Sequence, residues 1–138
     1  MLLQYHIDGG DFVNAGKASS AVKGVLKQLD VPAKLIKRVV IALYETEVNV
    51  VAHARKGEIE VLIEAEKITV RVQDRGPGIP DIEEAMKEGY STASREVREM
   101  GFGAGMGLSN IKRNSDSLHI ESVPGEGTLV RFINDLKE

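Results

Sequence analysis

The chain has 138 residues, 42% of them apolar, which suffices for one buried core and makes a second domain unexpected. Its net formal charge of −3 and its supply of only three Phe and three Tyr argue against nucleic acid as a partner. It has no cysteine, which excludes disulfides, thiolate metal sites and a cysteine nucleophile, and suits a reducing cytosol.

The N-terminus, Met1 to Asp8, has no basic flank and no long apolar run, and nowhere do about eighteen apolar residues follow one another. No membrane association is expected, and the protein is read as cytoplasmic. Residues 2 to 8 alternate apolar and polar like a half-buried strand, which Gly9-Gly10 breaks. From Asp11 to Leu29, the recurrence of Val13, Val22, Val25, Leu26 and Leu29 predicts a helix. Asp30-Val-Pro32 ends it and starts a second helix, which runs to about Ala54 with Leu35, Val39, Ala42, Leu43 and Val50 as its core stripe.

Two β-rich segments, 58 to 65 and 68 to 73, form a predicted hairpin. Asp74-Arg-Gly-Pro-Gly-Ile-Pro80 is a dense turn signal, and Asp81 with Glu84 caps a short helix. Residues 88 to 100 read as a polar loop, and the glycine run 101 to 107 leads into a helix over 108 to 117. Strands 118 to 123 and 128 to 133 flank Pro124-Gly-Glu-Gly127. Strands in adjacent pairs predict an α+β two-layer sandwich, with helices on one face of a mixed, mostly antiparallel sheet, and argue against a Rossmann domain.

Glu45, Asn49 and His53 lie four apart on the second helix, a polar face inside an apolar segment. An Asn oxygen can serve Mg²⁺, which takes few protein ligands alongside phosphates, and the Glu one turn away can orient or deprotonate a nucleophile. The alternative is a solvated helix edge or side chains tied to nearby backbone. His53 is read as a core or supporting residue, since His seldom serves Mg²⁺. Asp74-Arg-Gly-Pro-Gly78 closes a strand with an acceptor beside two glycines, fit to approach a flat ligand and take an exocyclic amine, or simply to turn. In Gly101-Phe-Gly-Ala-Gly-Met-Gly-Leu108, alternate glycines free N–H groups to face phosphate oxygens. This run fails the Rossmann spacing, and Gly16-Lys-Ala-Ser19 fails the Walker loop. Gly125-Glu-Gly-Thr128 is a hairpin turn that also places a hydroxyl.

In this order, these elements resemble the Bergerat-fold ATPases, the group that includes DNA gyrase, Hsp90, histidine kinases and MutL. The likeness is greatest to the small anti-sigma-factor and switch-protein serine kinases of bacteria. Glu45-Thr-Glu-Val-Asn49 resembles the N box, Asp74 to Gly78 the first glycine box, Gly103-Ala-Gly-Met-Gly-Leu108 the second, and Gly127-Thr128 the last. The resemblance implies ATP and Mg²⁺ as cofactors, with Asn49 on the metal and Glu45 as catalytic base. It also implies Asp74 on the adenine amine, Gly76 and Gly78 at the floor of the pocket, and Thr128 near the base. Gly103, Gly105 and Gly107 would wrap the triphosphate, and Ile79, Ala104, Met106 and Leu108 complete the nucleotide-binding set. Residues 1 to 138 would be one such domain, with a lid at about 88 to 104.

The implied activity is a serine/threonine protein kinase that phosphorylates a STAS-domain antagonist, binds a sigma factor, or both. Two other readings are a non-catalytic ATP-binding module that sequesters a regulator and a detached ATPase subunit. The anti-sigma branch implies a homodimer, for which the edge strand Leu2 to Ile7 is available; the switch-kinase branch implies a monomer in a larger assembly. The sequence departs from the family pattern in the charged lid run Ser94 to Glu99 and in Tyr44, where a small residue is expected. It carries no helical phospho-acceptor hairpin and is too short for a gyrase-type transducer domain.

Overall fold

A computed structural model describes residues 1–79, 81–87 and 107–136. Its elements in chain order are β1 (Leu2–Asp8), α1 (Lys17–Gln28), α2 (Ala33–His53), β2 (Lys56–Ile63), β3 (Lys67–Arg75), α3 (Ile82–Ala85), α4 (Gly107–Arg113), β4 (Ser117–Val123) and β5 (Gly127–Asp135). The expected lid, with Gly103, Ala104, Gly105 and Met106, lies outside the described residues, as does the side chain of Glu84.

The strands form one sheet in the order β1-β2-β3-β5-β4. Every pairing is antiparallel, so the expectation of a mixed sheet is corrected: β2–β3 and β4–β5 are hairpins, and the β1–β2 and β3–β5 pairs, joined through helices, also run antiparallel. Because side chains alternate along each strand, register puts one row after another on the inner face. Tyr5, Ile59, Val72, Val130 and Ile120 make one such row across all five strands, and Leu3, Val61, Val70, Phe132 and Leu118 the next. Against these rows α1 sets Val22 and Leu26, and α2 sets Val39, Ala42, Leu43 and Val50, all buried. No helix among the described residues is long and apolar enough to cross a membrane.

Two helix boundaries differ from expectation. α1 begins at Lys17 rather than Asp11, so Val13 lies outside it at 92% exposure, and Leu29 falls past its end at 45%. The reason is Gly16, whose left-handed φ of 95° makes the first turn start there. α4 stops at Arg113 rather than Ser117, because the chain is taken over by the sheet: the Asp116 N–H donates to the Ile133 carbonyl at 2.9 Å. Asp116 then accepts from the Asp135 N–H at 2.8 Å and from Arg38 of α2 at 3.0 Å. The backbone bond from Asp135 holds the Asp116 carboxyl below its ordinary range; burial opposes it, and Arg38 adds to the lowering.

Candidate functional site

Opposite edges of α2 hold its carboxylates. Glu47 points toward α1 and is 2% exposed. Its Oε2 accepts from the N–H groups of Gly16 at 2.9 Å and Ala18 at 3.3 Å; its Oε1 accepts from the Ser19 N–H at 3.1 Å and the Ser19 hydroxyl at 2.7 Å. No α1 side chain caps the helix, so a residue of α2 satisfies its first donors and bolts the two helices together. The sequence reading missed this role, although an acid two residues past Glu45 in an apolar run was a legible signal of a buried partner.

The other edge carries Glu45, Asn49 and His53. Asn49 lies against the first residue of α4: a Cβ on Gly107 would stand 2.9 Å from its Oδ1 and 3.1 Å from its Nδ2. A side chain at position 107 would force the Asn49 amide to shift. One turn earlier, Glu45 Oε1 accepts from Asn110 Nδ2 at 3.3 Å, and Asn110 Oδ1 accepts from Arg113 at 3.3 Å. Asn110, three residues after Gly107 and so on the same face of α4, was not foreseen. His53 is half-buried, and that burial lowers its pKa from the ordinary imidazole range. Among the described residues, no group of three or more His, Cys, Asp or Glu converges as a metal cage.

The end of β3 meets the end of α2, where Gly76 rests on Ala54 with no room for a side chain. Asp74, two residues earlier on β3, pairs across the sheet with Gly57 of β2. Its Oδ1 accepts from the Thr128 N–H at 3.0 Å, while Oδ2 takes no hydrogen bond among the described residues. Burial raises the Asp74 pKa, and the Thr128 N–H partly opposes the rise. Gly127 packs directly on the Asp74 carbonyl, an approach closed to any side chain. Behind it, Ser122 Oγ lies 3.0 Å from Thr128 Oγ1 and accepts from the Ile79 N–H at 2.6 Å. Gly78 adopts a left-handed φ of 76° against Val123, completing the turn. Ser122 was also missed; it reads as an ordinary strand residue until β4 is placed beside the turn. Leu108 is buried in the hydrophobic core cluster.

The structure thus brings Glu45, Asn49 and Gly107 into one cluster and Asp74, Ile79, Thr128 and Gly127 into another. Roughly 14 Å of helix, nine residues at about 1.5 Å each, links Glu45 to Ala54 where the second cluster begins. The first cluster offers an amide oxygen with a carboxylate one turn away, and the second a half-buried carboxylate acceptor.

Residues 11–134 match the histidine kinase-like ATPase domain family, and the chain belongs to it. Among its relatives, an anti-sigma F factor of Thermoanaerobacter sp. (strain X514) is 36% identical over 86% of this chain and 83% of its own. The serine/threonine-protein kinase RsbT of Bacillus subtilis (strain 168) is 33% identical over 83% of this chain and 84% of its own. The fold is similar to that of the mycobacterial sensor histidine kinase MprB, with a TM-score of 0.56 at 14% identity over 96% of this chain and 97% of the other.

Proposed function

We propose that this chain is a cytoplasmic, Mg-ATP-dependent serine/threonine protein kinase of a bacterial partner-switching system. It acts on a STAS-type antagonist, binds a sigma factor, or both, and residues 1–138 work as one domain with a lid at about 88 to 104. The observation that carries this reading is the junction of Asn49 with Gly107 one turn from Glu45, with Asp74 fixed at the other end of α2.

The residues fit both cofactors. Asp74 keeps one oxygen without a hydrogen bond among the described residues, so it can accept from an exocyclic amine, while Thr128 and the Gly76 to Ile79 turn border the same place. Asn49 supplies a single neutral oxygen beside a glycine, the sparse protein contribution expected for a cation held chiefly by phosphates. Bound there, Mg²⁺ would neutralise phosphate charge. Asn49 orients the metal end and Asn110 holds the Glu45 carboxylate. Glu45 takes the proton of the incoming serine hydroxyl, and positioning of the two reactants by the site supplies most of the remaining catalysis.

Two variants test these assignments. For Asp74 the raised pKa means that its contribution to stability is full below the usual carboxylate range and is lost as pH rises through the folded value. At neutral pH the ionised form therefore weighs against folding. Asp74→Asn is expected to match or exceed the wild-type Tm at neutral pH, because the amide oxygen still accepts from Thr128, yet to lose ATP affinity by about tenfold or more, since its NH₂ meets the amine. Thermal melts and calorimetry read the two effects separately. In Gly107→Ala the new methyl displaces the Asn49 amide, and Mg²⁺-dependent ATP affinity is expected to fall about tenfold, with ADP binding in EDTA little changed.

The names of the relatives include both an anti-sigma factor and a kinase, which favours a second reading beside the first: an ATP-binding module that sequesters a protein. Incubation with γ-labelled ATP and the STAS-type antagonist of the same genome separates them. Label on the antagonist supports the kinase; a stable complex without label supports the module; steady phosphate release with no acceptor overturns both in favour of a detached ATPase.

A further inference from the structure

Charge is unevenly placed on this molecule. Residues 12 to 44 carry six basic side chains and one acidic one, Asp30, in a chain whose net formal charge is −3. This stretch is α1, the α1–α2 corner and the first half of α2; α1 contains no acid and α2 has none before Glu45. Lys23 and Lys27 share a face of α1 at four-residue spacing, and Lys34 and Lys37 share one of α2 at three-residue spacing. The tight Asp30 to Pro32 turn sets the two pairs at the same end of the helical layer.

All four lysines are exposed. The ion pairs among the described residues are His6 with Asp8 and Glu58, Arg38 with Asp116, and His119 with Glu121, so none engages these four. Lys34 stands in the first turn of α2, where the positive end of the helix favours an acid and where no acid is present. At Lys34 the local electrostatics are set against stability, whereas Lys27 in the last turn of α1 is favourably placed, so the exposed Lys34 is the one whose position the helix itself does not explain. Between the pairs, Leu29 is 45% exposed at the end of α1.

We propose that the α1–α2 corner, Lys23, Lys27, Lys34 and Lys37 around Leu29, is a docking face for an acidic surface of the protein acceptor. It rests on the kinase reading above and adds a contact remote from the chemistry. Eleven residues of helix, roughly 16 Å, separate Lys34 from Glu45. An exposed apolar side chain flanked along the chain by two lysine pairs fits a protein partner, whose acids meet the lysines while an apolar residue covers Leu29. A nucleic acid presents chiefly phosphate and sugar to such a face and meets a chain of net negative charge.

The test is the triple variant Lys23→Glu, Lys27→Glu, Lys34→Glu. Its Mg-ATP affinity and Tm are expected to match wild type, since the gain from Lys34→Glu at the start of α2 is offset by Lys27→Glu in the last turn of α1. Association with the STAS-type antagonist is expected to slow by about tenfold or more at low salt, and the difference should shrink as salt rises. Equal association rates and equal phosphorylation in both proteins would overturn the proposal. If wild type neither binds nor labels the antagonist, the kinase reading falls, and a glutamate- and leucine-rich helical peptide decides the docking face. Amide shifts confined to residues 23 to 37 and lost in the triple variant sustain it; no shifts, or tighter binding of duplex DNA than of the peptide, overturn it.

Discussion

Glu47→Ala is expected to destabilise the fold by about 3–5 kcal/mol, the range for stripping a buried charged partner from its donors. The reason is that three backbone N–H groups and the Ser19 hydroxyl all end on this one carboxylate. Removing it leaves four donors at the start of α1 facing a cavity, and each buried unmet donor carries its own desolvation cost. For a chain of 138 residues the loss corresponds to a drop in Tm of roughly 10 °C or more. Ser19→Ala, which deletes one donor and leaves the others satisfied, should cost far less, about 1 kcal/mol. Chemical denaturation of the two variants checks the contrast; equal costs would show that the carboxylate is not the hub described.

Glu45→Ala is expected to lower phosphoryl transfer by about 10²–10⁴-fold, the usual contribution of a positioned general base, while ATP affinity stays within a few-fold of wild type. Its carboxylate meets Asn110 of α4 and not the Asp74 end of the site, so its removal leaves the base-binding cluster intact. Asn49→Ala should behave differently, losing Mg²⁺-dependent ATP affinity together with transfer, because a metal ligand acts on binding as well as on chemistry. Single-turnover rates measured beside calorimetric affinities separate base from ligand, and two variants with the same profile would erase that division of labour.

The layer arrangement was legible because strands alternate and helices repeat at their own periods. Ile59, Val61 and Ile63 alternate with exposed neighbours, and Val39, Ala42, Leu43 and Val50 fall on one stripe. The Asp74 to Gly78 and Gly127-Thr128 turns and the Glu45 to Asn49 spacing could likewise be read from the sequence, while Gly103 to Met106 lie outside the described residues. What escaped was set by contacts distant in sequence. The start of α1 depends on Glu47, more than 25 residues away, and no local signal near Asp11 or Val13 records that. Ser122 and Asn110 joined the site only through the β4–β5 hairpin and the α2–α4 contact, which give an unremarkable serine and asparagine their partners. The sheet was expected to be mixed because element order bounds topology without fixing strand direction at each edge.

The division of one helix edge into a metal ligand and a base is the claim on which the rest depends. It is tested most directly by mixing γ-labelled Mg-ATP and the STAS-type antagonist with wild type and with Glu45→Ala, at equal occupancy by nucleotide, and following label on the antagonist's serine through one turnover. Rapid labelling by wild type and none by the variant over the same time is the predicted result. Labelling of the antagonist by Glu45→Ala at the wild-type rate would contradict it.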